Sequence, residues 1–331
     1  MTDLSHLIAD FPVLQNGAHF LDSGASSQKP TQVLDAMSEF AATSYANVHR
    51  GAYKLSMMST DAYESARKAV SDFIGSPDPA QVVFTRGTTT SINMVAHGWG
   101  MQHLGEGDRI IATEMEHHSN LVPWQMVAKR TGAQLDHIPV TDDYRLDIDA
   151  FEEMLDETVK IVTVTGMSTV LGTITPVAKL AELAHSVGAR LVVDAAQLVP
   201  HAPVDVAEIG ADFVAFSSHK MLGPTGIGVL WGKMDALEEM EPFEGGGEMI
   251  ADVTLEGATW PGIPTRFEAG TPPIIEAVGL HAAVDYLSSI GMDEVFAHDL
   301  ELTEIALNRL GDVPGLTIQG PTDLEERGDV V

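Results

Sequence analysis

The chain has 331 residues, enough for one large α/β domain and part of a second. Aspartate and glutamate number 48 against 18 lysines and arginines, a formal net charge of −30. This charge disfavours nucleic acid and anionic membranes as partners, because both attract basic surfaces. The chain contains no cysteine, which excludes disulfides, thiolate metal sites and a cysteine nucleophile within these residues. No apolar stretch is long enough to span a bilayer and no signal peptide is evident, so we expect a cytoplasmic location.

The N-terminal part of the chain predicts an arm followed by two helices. Residues 1–30 form the predicted arm, with a short strand over residues 18–22, and a helix begins near Thr31. A second helix is predicted over residues 60–74, where small and apolar side chains recur at helical spacing. Between the helices lie His49 and Arg50, which are either solvated loop residues or side chains directed at an anionic ligand.

From residue 81 onward, predicted strands and helices alternate. The strands are residues 81–85, 109–113, 134–139, 161–165, 190–194, 213–217 and 227–231, and the helices include residues 88–104, 121–130, 150–155 and 177–187. This alternation of continuous apolar strands with helices indicates an α/β fold, with a mostly parallel seven-stranded sheet covered by helices on both faces. The ligand site of such a sheet lies beyond the carboxyl ends of its strands.

The C-terminal part predicts a second, smaller domain. Helices over residues 275–290 and 293–311 precede a predicted strand over residues 315–320, and a second strand begins near residue 329. We expect a large domain over residues 31–270 and the start of a small α+β domain over residues 271–331, against which the arm packs. Because the last predicted strand is cut short, which would leave an unpaired edge, we expect the small domain to be truncated.

The residues that follow the sixth predicted strand include a candidate nucleophile. The buried run over residues 213–217 ends in Ser217, Ser218, His219 and Lys220, and a loop with glycine and proline follows. A lysine at the end of a buried strand is partly desolvated, which lowers its pKa and suits it to Schiff-base chemistry. The alternative is a surface lysine that happens to follow a strand.

Other strand ends carry polar residues with two interpretations each. Thr88 and Thr89 open a helix, where free backbone N–H groups favour a phosphate, although an ordinary threonine cap has the same sequence. His117 and His118 are adjacent, a spacing that rarely binds one metal, so stacking of an imidazole on a flat ligand is favoured and no metal is expected. Asp194 ends a buried strand and therefore needs a cation or hydrogen-bond donors.

These residues together satisfy the requirements of one cofactor. Pyridoxal phosphate needs a lysine for its aldehyde, a carboxylate for its ring nitrogen, a phosphate-binding turn and commonly a ring stacked on its face. Lys220, Asp194, the turn of Thr88 and Thr89, and His117 supply these four functions in one predicted fold. The sequence therefore predicts a pyridoxal-phosphate site.

The chain resembles the class V, fold-type I pyridoxal-phosphate enzymes, and specifically the SUF-type (group II) cysteine desulfurases and selenocysteine lyases. The resemblance covers essentially the whole chain and rests on ordered motifs at residues 21–23, 46–51, 85–89, 114–118, 122–125, 193–197, 219–226, 244–247 and 266–272.

This resemblance implies a role for each candidate residue. Lys220 would carry the cofactor and act as general base, Asp194 would pair with the ring nitrogen, and Gln197 would approach the ring hydroxyl. His117 would stack on the ring as a second catalytic residue. The phosphate would be bound by Thr88, Thr89, Ser217 and His219, with Thr271 supplied by the partner of a homodimer. The implied substrate-side residues are His49, Arg50 and Thr169.

The implied activity is conversion of L-cysteine to L-alanine, with the sulfur passed as an enzyme persulfide to an acceptor or scaffold protein of iron–sulfur cluster assembly. L-selenocysteine is an alternative substrate, and transamination, epimerisation and a non-catalytic dimerising role remain open. The chain departs from the family pattern in two places. Thr169 stands where the family usually has an asparagine. The family's catalytic cysteine and carboxylate-binding arginine belong to a C-terminal segment absent from these residues, so we expect them not to complete the persulfide step alone.

Overall fold

The computed structural model describes residues 4–17, 19–328 and 330, and its centre is a seven-stranded sheet. The strands are β1 (Val82–Thr85), β2 (Arg109–Thr113), β3 (Gln134–Ile138), β4 (Val159–Thr165), β5 (Arg190–Asp194), β6 (Phe213–Ser217) and β7 (Gly228–Gly232). Their order across the sheet is β1-β7-β6-β5-β4-β2-β3. Strand β7 is antiparallel to both neighbours and the other pairs are parallel, which confirms the predicted mostly parallel sheet.

Helices cover both faces of this sheet. They are α1 (Thr31–Thr43), α2 (Lys54–Phe73), α3 (Thr88–Val95), α4 (Met101–His103), α5 (His118–Thr131), α6 (Ile148–Met154), α7 (Val177–Ser186), α8 (Leu198–His201), α9 (Met234–Glu238), α10 (Ile274–Ile290) and α11 (Met292–Gly311). Side chains alternate across a strand, so Val82 and Phe84 of β1 enter a core shared with α2, α7 and α10, while Val83 enters a second core shared with α3 and α5. Burying each such side chain stabilises the fold by roughly 1.5–3 kcal/mol.

Two predicted helices differ from the structure in informative ways. Helix α2 begins six residues before the predicted start, because Ser56 and Ser59 in its first turns hydrogen-bond carbonyls of the preceding loop. The predicted helix over residues 88–104 is one continuous helical run, but Ala96–Gly100 within it is π-helical. Glycine at positions 98 and 100 leaves room for close neighbours, since a Cβ at Gly98 would lie 2.6 Å from a backbone carbonyl oxygen.

Two predicted strands are wrong. Residues 19–22 lead into a turn closed by the Asp22 carbonyl and form no strand. Residues 315–320 are irregular because the chain wraps the buried Arg327, whose guanidinium donates to the carbonyls of Gln319 and Pro321. Ala18, and the predicted second strand at residues 329 and 331, lie outside the described residues.

The arm and helix α10 pack against the large sheet domain. Helix α10 lies on α1 and α2, and Ile274, Ala277 and Leu280 belong to the core of that face. The arm reaches α10, where Asp10 Oδ2 accepts a 2.8 Å hydrogen bond from the Tyr286 hydroxyl. A short hairpin, β8 (Asp252–Val253) with β9 (Ala258–Thr259), projects from the segment between α9 and α10. No helix in the described ranges combines the length and apolarity that crossing a bilayer requires.

Candidate active site

The candidate site lies at the carboxyl ends of the parallel strands. Lys220 ends a 3₁₀ turn, Ser218–Lys220, directly after β6, and Asp194 is the last residue of the adjacent strand β5. Asp194 is only 4% exposed, and its Oδ1 accepts a 3.0 Å hydrogen bond from the backbone N–H of Ala196. Burial raises the pKa of Asp194, while the charges of Lys220 and His117 oppose that rise. These two side chains are therefore within electrostatic reach of Asp194.

A polar cradle forms where α3 begins. Ser217 Oγ lies 2.8 Å from the Thr88 backbone nitrogen and 2.7 Å from Thr88 Oγ1. Glycine is required here, since Gly87 has φ 149° and a Cβ at Gly228 would lie 2.4 Å from its Cα. The close approach brings the positive end of the α3 dipole next to the end of β6. Such an arrangement binds anions, phosphate included.

His117 caps helix α5 and has a fixed orientation. Its Nδ1 accepts a 3.1 Å hydrogen bond from the Ser119 backbone N–H, so a neutral ring carries its proton on Nε2. Ser119 Oγ in turn lies 2.7 Å from Thr89 Oγ1, which joins the imidazole to the α3 turn. His118 lies beside His117, but the described residues contain no group of three or more side chains able to hold a metal ion.

Gln197 joins the arm to the loop after β4. Its Nε2 donates to the Gly24 carbonyl at 2.9 Å and to Thr169 Oγ1 at 2.8 Å. Its Oε1 is buried and has no hydrogen-bond partner among the residues that the structure describes. Buried polar atoms in folded proteins nearly always have a partner. An orphaned acceptor at this position therefore fits a ligand that brings its own donor.

The arm supplies one wall of the site, which the sequence did not predict. The His219 carbonyl accepts hydrogen bonds from the Ser27 backbone N–H at 2.9 Å and from the Ser26 and Ser27 hydroxyls. Ser27 Oγ also accepts a 2.8 Å bond from the Leu222 backbone N–H. These contacts hold both sides of the turn that carries Lys220. Burial and the neighbouring Lys220 lower the pKa of His219.

The remaining predicted residues lie outside this hydrogen-bonded cluster. His49 has a left-handed φ of 63° and its Nε2 lies 3.0 Å from Glu64 Oε1. Arg50 pairs with Glu248 at 2.6 Å. Thr271 is exposed in the loop before α10.

A buried ion pair supports the segment that carries Thr271. Arg67 on α2 binds Glu268 through two contacts, at 2.7 and 3.0 Å. Glu268 also accepts from the Tyr63 hydroxyl at 3.0 Å and from the Phe84 backbone N–H at 2.8 Å. The pair thus joins α2, β1 and the chain leading to the loop before α10.

An Arg67→Met variant should lose about 3–5 kcal/mol of unfolding free energy, because Glu268 would remain buried without its cation. Urea unfolding of the cofactor-free protein measures this loss. Lys68→Met is the matched control, since Lys68 is the next residue, is 65% exposed and pairs with Asp72 on the surface. Its loss should stay within about 0.5 kcal/mol. Equal losses in the two variants would contradict the assignment.

Glu116, which directly precedes His117, was not selected from the sequence although it lies within one of the motifs. Its Oε1 accepts from Thr113 Oγ1 at 2.6 Å and from the Thr165 backbone N–H at 2.7 Å, and its Oε2 accepts from Asn120 Nδ2 at 2.6 Å. The residue keeps some solvent exposure, but its carboxyl group lies among protein atoms. Burial raises the pKa of Glu116 to about 8 despite these hydrogen bonds.

This raised pKa predicts that the cofactor-free protein loses stability as pH rises. Glu116 binds its proton more tightly in the folded state, so its contribution is complete below its ordinary pKa of 4.5 and is lost as pH rises to about 8. The raised pKa of Asp194 acts in the same direction. Melting temperatures measured across this range should fall less steeply in Glu116→Gln. The control Glu182→Gln, at a side chain 77% exposed, should keep the wild-type slope. An unchanged slope in Glu116→Gln would rule out this contribution.

The fold and the strand-end cluster define a fold-type I enzyme, and comparison with known proteins agrees. Residues 19–331 match the family model described as Aminotransferase class-V. The chain therefore belongs to this family.

Its relatives within the family are cysteine desulfurases. The probable cysteine desulfurase of Streptomyces coelicolor is 48% identical, with 100% of this chain and 82% of the relative covered, and the cysteine desulfurase of Haloferax volcanii is 48% identical, with 99% and 81% covered. The apo cysteine desulfurase structure from Thermococcus onnurineus has a TM-score of 0.93 at 39% identity, covering 99% of this chain and 81% of that one. The chain belongs to the cysteine desulfurase group, as the sequence predicted, and spans about four fifths of these relatives.

Proposed function

We propose that the protein is a pyridoxal-phosphate-dependent cysteine desulfurase, which removes sulfur from L-cysteine and leaves L-alanine. The observation that carries this proposal is the convergence of Lys220, the buried Asp194 and the cradle of Thr88 and Ser217 at one edge of the sheet. The orphaned Gln197 Oε1 supports it, because a ring hydroxyl is a donor that this acceptor lacks among the described residues.

The residues present fit pyridoxal phosphate. Lys220 would hold the aldehyde carbon, Asp194 the ring nitrogen and Gln197 the ring hydroxyl, and His117 would cover one face of the ring. Thr88, Thr89, Ser217 and His219 would bind the phosphate. When bound, the cofactor supplies an electron sink for negative charge at the substrate Cα.

The side chains then divide the proton transfers between them. With substrate in the site, Lys220 Nζ would accept the Cα proton as general base. Asp194 would keep the ring nitrogen protonated, since a cation beside it offsets the cost of burying its charge. His117, whose neutral ring carries its proton on Nε2, would deliver that proton to the reacting substrate.

The sulfur step needs a thiol as well. The substrate Cβ–S bond breaks and a new S–S bond forms on the thiol, so cysteine and a thiol give alanine and a persulfide without an external oxidant or reductant. These 331 residues contain no cysteine, so the thiol comes from outside them. L-Selenocysteine is the second candidate substrate, favoured by the same observation, because its selenium leaves as the element without an accepting thiol.

The substrate carboxylate is assigned to the side of the site near His49, Arg50 and Thr169. The Arg50 side chain is 56% exposed although it pairs with Glu248, so a substrate carboxylate could reach it by sharing or replacing that partner. The backbone strain at His49 supports a functional loop, because such conformations concentrate at binding sites. The Thr169 hydroxyl already accepts from Gln197, so a carboxylate bound there would share that network.

We place the protein in the cytoplasm as a homodimer that passes sulfur to an acceptor protein of iron–sulfur cluster assembly. Exposed apolar side chains support the dimer, notably Val253 on the β8–β9 hairpin and Met57 on α2. Thr271 of each subunit would complete the phosphate site of the other. Residues 31–270 form the large domain, residues 1–30 the arm and residues 271–331 a smaller domain, whose first helix, α10, packs into the core of the large one.

The experiment that tests the function combines trapping with product analysis. The purified protein is loaded with pyridoxal phosphate, reduced with borohydride and digested, and a pyridoxyl group on Lys220 is expected. Unreduced protein with L-cysteine and dithiothreitol should yield alanine and sulfide in equal amounts, and a parallel reaction contains L-selenocysteine. A keto acid or racemised amino acid would indicate other class V chemistry. A missing adduct would indicate a non-catalytic protein.

A further inference from the structure

Glu116 takes no part in the steps above, yet its carboxyl group lies beside Asp194. Its Oε1 accepts from the backbone N–H of Thr165, the last residue of β4. Thr165 is paired directly with Asp194 in the register of β4 and β5. The Glu116 carboxyl group therefore lies at the end of β4, next to the end of β5 that carries Asp194.

The hydrogen bonds require both oxygens of Glu116 to accept. Asn120 Oδ1 accepts from Trp124 Nε1 at 3.2 Å and from Thr163 Oγ1 at 2.6 Å, which fixes the amide with Nδ2 toward Glu116. The Thr165 N–H can only donate. A carboxyl group satisfies both donors, whereas an amide at position 116 would place one N–H₂ against another donor.

The same bonds hold His117 in place. Glu116 ties the loop between β2 and α5 to three elements at once, through Thr113 at the end of β2, Thr165 at the end of β4 and Asn120 within α5. His117 is the next residue and caps α5. A displacement of the Glu116 side chain is therefore expected to shift the His117 imidazole.

We propose that Glu116 is a positioning residue of the cofactor site, which holds His117 against the ring and sets, together with Asp194, the negative charge beside the ring nitrogen. The inference rests on the proposed function, since it requires the cofactor at Lys220. The charged group that acts on Glu116 is Asp194 on β5, and Lys220 after β6 and His117 at the start of α5 act in turn on Asp194.

The Thr113 hydroxyl allows Glu116 to change its charge without losing this network. A hydroxyl donates to an ionised carboxylate and accepts from a protonated one, and Thr113 Oγ1 stands 2.6 Å from Oε1. An ionised Glu116 stabilises a proton on the bound cofactor. Its removal should therefore lower the pH at which the bound cofactor loses that proton.

The test separates the hydrogen bonds from the charge with an exchange of side chains. Glu116→Gln removes the carboxyl group, and the double variant Glu116→Gln with Asn120→Asp moves it to the neighbouring position. In the double variant, the new amide donates to the new carboxylate, which still accepts from Trp124 and Thr163. Hydrogen bonding is thereby restored while the charge stays displaced from Asp194.

Three readouts are compared in wild type and both variants: melting temperature of the cofactor-free protein, affinity for pyridoxal phosphate by absorbance titration, and the pH at which the absorbance of the bound cofactor changes. Glu116→Gln should bind the cofactor about tenfold more weakly and lower that pH by about one unit. The double variant should recover the melting temperature and the affinity but keep the lowered pH.

Two results would overturn the inference. The first is that Glu116→Gln binds the cofactor with wild-type affinity and changes its absorbance at the wild-type pH. The second is that the double variant also restores the wild-type pH of that absorbance change, in which case Glu116 has a structural role only. If the single variant does not fold, the double variant still gives the titration. A wild-type protein that forms no borohydride-stable adduct at Lys220 would instead reject the proposed function, and the inference with it.

Discussion

Replacing Lys220 with alanine is expected to abolish the borohydride-stable adduct and to lower alanine formation by at least about 10³-fold. In the proposed mechanism two functions are lost together, because the same amine holds the cofactor and removes the Cα proton, and a positioned general base alone contributes about 10²–10⁴-fold. The turn itself should survive. The backbone N–H and hydroxyl of Ser27 donate to the His219 carbonyl, and the Leu222 N–H donates to that hydroxyl, so these bonds do not involve the Lys220 side chain.

Lys68→Ala is the control for this experiment, since Lys68 lies on the surface of α2 and should leave the adduct and the turnover unchanged. Mass spectrometry of the reduced, digested protein identifies the modified lysine, and alanine is measured in the same preparations. An adduct of wild-type yield in Lys220→Ala would assign the cofactor to another lysine. Near-normal alanine formation without an adduct would remove Lys220 from the reaction.

The sheet could be predicted from the sequence because its strands are buried on both faces. Residues such as Val192 and Val193 enter opposite cores, so the strands are continuous apolar runs that differ clearly from the amphipathic helices around them. The polar residues that interrupt these runs, among them Asp194 and Ser217, could be assigned to strand ends for the same reason. The strand ends converge because neighbouring strands are parallel.

The sequence did not predict features that depend on contacts between distant segments. Residues 315–320 have an alternating composition typical of a strand, but the buried guanidinium of Arg327 binds their carbonyls and prevents pairing. The role of Ser26 and Ser27 depends on the His219 carbonyl, nearly 200 residues away. Glu116 was overlooked because nothing in its local sequence reveals that Thr165 and Asn120 surround its carboxyl group.

The candidate site contains two buried carboxyl groups, those of Asp194 and Glu116, at the strand ends where the cofactor is expected to bind. Burial raises the pKa of both Asp194 and Glu116, so each is costly to ionise in the cofactor-free protein. By contrast, Asp212 is buried at the opposite edge of the sheet, and there Arg190, His185 and Lys233 contact it. Despite its burial, hydrogen bonds from His185 and the Leu191 backbone, with the nearby cations, lower the pKa of Asp212. Burial thus goes with a raised pKa at Asp194 and with a lowered pKa at Asp212, where cations are in direct contact.

Asp194→Asn is expected to change both the stability of the cofactor-free protein and the turnover of the loaded one. The cofactor-free variant should be at least as stable as wild type at neutral pH. Because the folded protein raises the pKa of Asp194, the stability it contributes is lost as pH rises, and an amide removes that loss. The amide oxygen still accepts from the Ala196 N–H. Asp212→Asn should instead destabilise the protein, since Arg190 and Lys233 lose their shared anion and His185 loses a hydrogen-bond partner.

With the cofactor bound, Asp194→Asn should be the more damaging of the two substitutions. Asp194→Asn can no longer hold the ring nitrogen protonated, so alanine formation should fall by about 10³-fold, the magnitude seen when a preorganised charge at the reacting group is lost. Asp212→Asn, far from the strand ends, should retain cofactor binding. Melting curves with and without pyridoxal phosphate, together with alanine assays, measure both effects in each variant. If Asp194→Asn lowers the stability of the cofactor-free protein while turnover stays normal, Asp194 stabilises the fold and does not serve the cofactor. The predicted opposite pattern follows only if this carboxylate is buried at a cost that the ring nitrogen offsets.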